Sequence, residues 1–439
     1  MFSKILVANR GEVAVRIIRA CKEMGIETVA VYSEADRNSL PVALADERIC
    51  IGSNAAAESY LNQKNIISAA LATNAEAIHP GYGFLSENAG FAKLCEENGI
   101  VFIGPKSEVI SAMGDKDTSR QLMQQVGVPV VPGTEVLKDA EEAKKYAKEI
   151  GYPLLVKATA GGGGKGIRVV AREEDLEDAF HTASREAESA FGNGEVFLEK
   201  YLTHVRHVEM QILADQQGNI LCLGERDCSL QLNKQKVLEE TPSPVMTEDI
   251  RRKMMDAAVL AAKAANYTNA GTVEFLLAPD GQFYFIEMNT RLQVEHPITE
   301  EISGVDIVKW QIRIACQVPL NMKQEDIRLQ GHAIECRINA RSTGRVDFLH
   351  IPGGGRVHFD TALMQDTVVV PFYDSMLGKL IVHANTREEA IRRMEASLCE
   401  MVIVGVETNI EEQLQLIRSK IFQKGNYDTL ILDKILKKG

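Results

Sequence analysis

The chain has 439 residues, 45% hydrophobic and 25% charged, which is too long for one core and suits two or three globular domains. Its net charge of −12 excludes nucleic acid or an anionic membrane as the main partner, so any anion must be held by a local cluster of cations. No apolar run approaches the roughly 20 residues of a membrane span. Lys4 and Asn9-Arg10 break what would be a signal-peptide core, and the eight scattered cysteines show no CxxC, which fits free thiols in a reducing cytoplasm.

In chain order, Lys4 to Ala8 predicts a strand and Gly11 a turn. Val13, Ile17, Ile18 and Cys21 form a helical stripe, and Thr28 to Tyr32 the next strand. The alternation continues through Ala77-Ile78, a helix around Phe91 to Glu97, and Ile100 to Ile103, which predicts a doubly wound parallel sheet over residues 1–114. The absence of GxGxxG after the first strand argues against a nicotinamide or flavin cofactor. Over 115–317 the pattern becomes α+β: helices at 117–126 and 139–150, strands Pro153 to Lys157 and Ile167 to Val170, and an acidic helix from Glu173 to Ala190. Residues 318–439 open with the strand His332 to Ile338 and close with helices around 387–400 and 408–418, a second α+β region.

Three segments carry chemistry. Lys157 to Arg168 holds Gly161 to Gly164, flanked by Lys157 and Lys165. No Gly-Lys is followed by Ser or Thr, and a strand follows, so this is not a Walker A loop; consecutive glycines let backbone N–H groups converge on a phosphate and let the loop open and close. The second segment is a hairpin, Gly271 to Ala278 and Gln282 to Asn289, joined by Pro279-Asp280-Gly281. Pairing Ala278 with Phe283 places Glu274 opposite Glu287 and Thr272 opposite Asn289, with Val273, Phe275 and Leu277 sharing the other face with Tyr284, Ile286 and Met288. Facing carboxylates repel unless a cation such as magnesium joins them; a loop shifted by one residue would undo the pairing. The third segment is Asn289-Thr290-Arg291-Leu292-Gln293-Val294-Glu295-His296-Pro297, where Arg291 offers a fork to a planar oxyanion and Glu295 a base. Lys116 could approach a nucleotide or serve a helix start, Lys234 and Lys236 could hold phosphate or be solvated, and Arg337 inside a strand-like run needs a partner.

With these residues assembled, the chain resembles the ATP-grasp ligases, and within them the biotin carboxylases. The resemblance runs from Lys4 to beyond residue 410 on the stretches ILVANRGE, HPGYGFLSEN, FIGP, GGGGKGIRVV, ERDCSLQ, FYFIEMNTRLQVEHPITE, GHAIECRINA and YDSMLGKL. It implies an α/β and α+β multidomain fold. Residues 1–114 would form an N-terminal Rossmann-like domain, 115–317 an ATP-grasp domain with a mobile glycine-rich lid at about 131–203, and 318–439 a C-terminal α+β domain.

The same resemblance implies that Lys116, Lys157, Gly163, Gly164, Glu199, Lys200, Tyr201, Leu202, His207, Gln231 and Lys234 surround ATP together with Glu274 and Glu287. Glu274, Glu287 and Asn289 would hold magnesium or manganese. Lys236, Arg291, Val294 and Glu295 would bind bicarbonate, and Arg337 would face biotin. Arg16, Arg19, Glu23 and Asp374 match positions near a homodimer contact, or else a solvated face. The implied reaction is carboxylation of biotin on a separate biotin carboxyl carrier protein, with a separate carboxyltransferase, as the first half of an acetyl-CoA carboxylase. No Ala-Met-Lys-Met biotinylation segment occurs in the chain.

Two positions depart from the family pattern: Lys234 stands where histidine is more usual, and the loop after Asn339 (Arg341 to Arg345) is shorter, which bears on the biotin pocket. The alternatives are an ATP-grasp ligase for another carboxylic acid, and an ATP-binding protein impaired by the shortened loop.

Overall fold

The computed structural model describes residues 1–159 and 166–432; Gly163, Gly164 and Lys165 lie outside the described residues. Two compact units divide the chain. Met1–Gly114, Arg206–Glu274 and Met288–Gly439 form the first; Asp115–Val205 and Phe275–Glu287 form the second.

The first unit begins with strands β1 (Lys4–Val7), β2 (Glu27–Ser33), β3 (Glu47–Gly52), β4 (Ala77–His79) and β5 (Val101–Phe102), ordered β3-β2-β1-β4-β5. All neighbours are parallel. The central strand reads as an unbroken apolar run because both of its faces are covered. Ile5 and Val7 share a core with Val13, Ile17 and Ile18 of the helix Gly11–Glu23, whereas Leu6 and Ala8 belong to the core of Ile66 and Phe91 on the other side.

In the second unit β6 (Leu154–Ala158), β7 (Ile167–Val170) and β8 (Val196–Lys200) form an antiparallel sheet ordered β7-β6-β8. Leu154, Val156 and Leu198 pack with Ala143 and Ala147 of the helix Ala140–Ile150 and with Phe180 and Ala183 of the helix Leu176–Phe191. The acidic segment starts as a single tight turn, Glu173–Asp175, before that helix.

The rest of the strands are β9 (Arg206–Ala214), β10 (Ile220–Leu232), β11 (Gln235–Thr241), β12 (Asn269–Leu277), β13 (Phe283–Asn289), β14 (His332–Asn339), β15 (Gly344–Arg345), β16 (Phe348–His350), β17 (Val357–Thr361), β18 (Val368–Val369), β19 (Met376–Ala384) and β20 (Val402–Val404). One sheet runs β13-β12-β9-β10-β11-β14-β19-β17. Because β14 pairs antiparallel with β11 (Glu239 opposite Glu335), this sheet is continuous across residue 317. Alternation along β14 sets up the functional face. Ile334, Cys336 and Ile338 enter a core with Leu380, Val382 and the helix Arg387–Glu400. Ala333 on the other face shares a core with Ile381 and with Ile298 and Ile302 of the helix His296–Ser303, and Glu335 and Arg337 project to that side with it.

The hairpin register is one residue off the sequence-based pairing. The Ala278 N–H donates to Gln282 O at 2.8 Å, the Gly281 N–H donates to Ala278 O at 3.0 Å, and Gly281 has φ +84°. A left-handed glycine after the turn inserts a bulge residue, so Ala278 pairs with Gln282 rather than Phe283. Phe275 accordingly meets Phe283 and Phe285, with ring centroids 5.4 and 6.4 Å away, and not Tyr284 and Ile286. Glu274 therefore does not face Glu287 across the hairpin, and their common role is what the resemblance implies.

Candidate functional site

A band of charged side chains crosses one face of the large sheet in the first unit. Its centre is Lys236 near the start of β11, whose Nζ lies 2.6 Å from Glu209, 2.6 Å from Glu295 and 3.1 Å from Glu274. The fully buried Arg226 closes the far side of Glu209 at 2.6 Å and also donates to Gln211, Thr272 and Thr299. Burial would strip the Lys236 proton, but the three carboxylates outweigh it and hold the ammonium well above its ordinary pKa.

Glu295 is fully buried at the N-terminal end of the helix His296–Ser303. Its second oxygen lies 3.0 Å from Arg337, whose guanidinium is also 2.6 Å from Glu239. Burial alone would raise the Glu295 pKa; Lys236, Arg337 and Arg226 overcome it and keep this carboxylate ionised, well below the usual range. Neighbouring acids go the other way. Burial pushes Glu239 up to about 7 despite Arg337. It raises Glu335 well above the usual range as well, and neither oxygen of Glu335 has a hydrogen-bond partner among the described residues. Among these buried acids, burial outweighs Lys379 and Arg337 at Glu335, so it is held above the usual carboxylate range while Glu274 and Glu295 are held below it.

The loop from Asn289 to Glu295 lies over this band. Asn289 Nδ2 donates to Glu274 at 2.8 Å, as does Gln293 Nε2 at 3.0 Å. Arg291 donates to Glu87 (2.8 Å), Gln293 (2.7 Å) and Asn289 (2.9 Å), so its fork is already oriented, and it remains partly exposed. Glu274 also has His207 Nε2 at 2.8 Å. Burial would raise its pKa, yet Lys236 and His207 hold it well below the usual range, as an anion. Glu274, the amide oxygen of Asn289, and the group His207, Glu209 and Glu274, whose ligand atoms lie within 4.8 Å of one another, can all serve a hard cation.

Of the residues expected at a nucleotide, His207 meets Gln231 at 3.1 Å within the first unit. Lys234 sits exposed in the two-residue turn Asn233-Lys234 between β10 and β11, with φ of 51° and 66°. In the second unit Lys157 and Glu199 pair at 2.7 Å, and Lys200 donates to the carbonyls of Gly151 and Tyr152 at 3.0 and 3.3 Å. Tyr201 and Leu202 follow half-buried, Glu287 is half-buried on β13, and Lys116 is exposed just after the N-cap Asp115. Arg16 is tied to Glu300 (3.0 Å) and Asp306 (2.8 Å) and Glu23 to Lys309 (2.6 Å), while Arg19 and Asp374 are exposed.

Glu209, Glu239, Glu335, Gln293 and Lys379 escaped the motif reading. A signal was available for some: charges at every second position in Glu335-Cys336-Arg337, between apolar neighbours, mark a buried polar strip on one sheet face.

Comparison with known proteins agrees with this geometry. Residues 1–110 match the biotin carboxylase N-terminal domain, 115–323 the carbamoyl-phosphate synthase L chain ATP-binding domain, and 335–434 the biotin carboxylase C-terminal domain. The chain is 53% identical to Biotin carboxylase 1 of Bacillus subtilis, over 99% of this chain and 98% of that one. It is 51% identical to a pyruvate carboxylase subunit from Methanothermobacter thermautotrophicus, over 99% and 90%. It superposes with TM-score 0.92 at 50% identity, covering 99% and 98%, on the biotin carboxylase domain dimer of Hydrogenobacter thermophilus 2-oxoglutarate carboxylase, which was solved with MgADP, ADP and bicarbonate. Three consecutive domain matches, full-length identity above half, and a buried lysine–glutamate–arginine centre lead to one conclusion: the chain belongs to the biotin carboxylase family, and it is an enzyme of that kind.

Proposed function

We propose that the chain uses ATP to carboxylate biotin on a separate carrier protein with bicarbonate, through carboxyphosphate, as the first half-reaction of an acetyl-CoA carboxylase. The observation that carries the site is Lys236 bridging Glu209, Glu274 and Glu295, with Arg337 joining Glu295 to Glu239.

Bicarbonate docks on Arg291 and Lys236 beside Val294, and Glu295, already ionised, takes its proton. Lys236 and Arg337 are the cations that hold Glu295 ionised. Turning either toward the arriving anion weakens that hold and makes the carboxylate a stronger base. The deprotonated anion attacks the terminal phosphate of ATP, ADP leaves, and carboxyphosphate rests on Arg291 and Lys236. It breaks down to CO₂ and phosphate; the phosphate accepts the ureido proton, Arg337 stabilises the biotin enolate as an oxyanion site does, and the ureido nitrogen adds to CO₂ to give carboxybiotin.

The nucleotide role falls on Lys116, Lys157, Gly163, Gly164, Glu199, Lys200, Tyr201, Leu202, His207, Gln231 and Lys234, the residues the resemblance implies. Glu274, Glu287 and Asn289 are the residues to hold magnesium, which supplies neutralising charge for the phosphates. Arg16, Arg19, Glu23 and Asp374 are assigned to a homodimer contact, in line with the dimer described for the Hydrogenobacter thermophilus domain.

ATP cleavage measured with and without bicarbonate and free biotin tests the reading. Dependence on both is expected. ATP cleavage that responds instead to another carboxylic acid, or ATP binding without turnover, would reject it.

A further inference from the structure

Lys379, midway along β19, is one of the largest fully buried side chains. Burying an ammonium is costly unless it is paired, and here Glu12 lies at 3.1 Å and Asp360 of β17 at 3.9 Å. Glu12 comes from the first turn of the helix Gly11–Glu23 and accepts the Tyr82 hydroxyl; Asp360 is also paired with His358 at 3.2 Å. Neither contact needs the loop, yet the ammonium also reaches it: Nζ donates to the Val294 carbonyl at 2.8 Å. That carbonyl shares a rigid peptide plane with the Glu295 N–H, so its direction also fixes the Glu295 Cα. Upstream, Thr290 N–H is held by Glu87 and the Gln293 side chain by Glu274, but neither bond sets the 294–295 plane.

We propose that Lys379 is a positioning residue for the bicarbonate loop: anchored by Glu12 and Asp360, it holds the Val294 carbonyl and so aims Val294 and Glu295. The inference rests on the bicarbonate role proposed above for Arg291, Val294 and Glu295.

The test uses the full chain with Lys379→Met and the double variant Lys379→Met/Glu12→Gln, in which no new unpaired carboxylate is left at Glu12. Arg291→Ala runs in parallel. For each, KM for bicarbonate, kcat, ATP affinity by direct binding and Tm are measured. The expected result is a rise of about ten-fold or more in the bicarbonate KM, the loss of a hydrogen bond to a charged group, with ATP affinity and Tm of the double variant unchanged. A merely structural lysine would instead move Tm, ATP affinity and kcat together in both Lys379 variants. That result, or an unchanged bicarbonate KM, overturns the proposal. If Arg291→Ala raises the bicarbonate KM and the Lys379 variants do not, the positioning role alone fails. If none of the variants raises it, the bicarbonate site itself is misassigned.

Discussion

Replacing Glu295 by glutamine removes the carboxylate proposed as the base while leaving its shape. In the parent, one carboxylate oxygen is 2.6 Å from Lys236 and the other 3.0 Å from Arg337. Each such charge-assisted bond is worth roughly 1.5–3 kcal/mol, while an uncharged amide escapes a burial penalty of several kcal/mol. Lys236 keeps Glu209 and Glu274, and Arg337 keeps Glu239, so no cation is stranded. The two effects oppose each other, and stability should change by no more than about 2 kcal/mol. Catalysis has no such compensation. A positioned general base contributes about 10²–10⁴-fold, equivalent to roughly 3–5 kcal/mol of barrier. The assay is biotin- and bicarbonate-dependent ATP cleavage at saturating substrates, with calorimetric ATP titration as the control for an intact fold. Turnover close to that of the parent, with ATP binding intact, would refute the assignment of Glu295 as base. Loss of ATP binding together with turnover would show that the cluster is structural.

Arg337→Ala should lower biotin-dependent turnover by ~10²–10³-fold, the usual loss for one oxyanion-stabilising group, with ATP titration unaffected. Its stability loss should shrink as pH falls toward about 7 and level off below it, because Glu239, held near 7 while its cation is present, takes up its proton at higher pH once Arg337 is gone. Chelation of divalent ions should abolish ATP cleavage, and added magnesium or manganese should restore it; activity persisting in chelator would remove Glu274, Glu287 and Asn289 from metal binding. Away from the site, Glu240 binds Arg387 through two bonds (2.7 and 2.9 Å), His332 (2.7 Å) and Tyr427 (2.5 Å). Burial would raise its pKa, but His332 and Arg387 lower it from 4.5 to about 2. With the folded value below the unfolded one, this acid contributes about 3 kcal/mol above pH 4.5 that is lost as pH falls toward 2. Glu240→Gln should remove that acid-limb dependence in a series of thermal melts and lower Tm at pH 7.

Local chemistry made much of the site legible in one dimension. Glycine placement, the apolar run of β1 and the helical stripe of Gly11–Glu23 depend on neighbours a few residues away, and so the strand–helix alternation could be read directly. Arg291 and Glu295 were legible because a short loop after a strand keeps them together. Arg337 was visible as a charge in a strand-like run and Lys236 only as one of a lysine pair that could hold phosphate or be solvated; their partners were not visible, because Glu209, Glu239 and Glu295 come from separate strands and a loop whose lateral order no local pattern encodes.

The β12–β13 turn shows the limit from the other side. Pro279-Asp280-Gly281 announced a turn, but whether Gly281 closes the loop or adds a bulge residue is decided by its left-handed backbone and by the packing of Phe275 on Phe283 and Phe285. By itself, then, the order of residues determined the class of fold and the family. Only the tertiary structure decided which carboxylates stay ionised and which keep a proton, because that balance depends on burial and on through-space distances of a few ångströms between segments far apart in the chain.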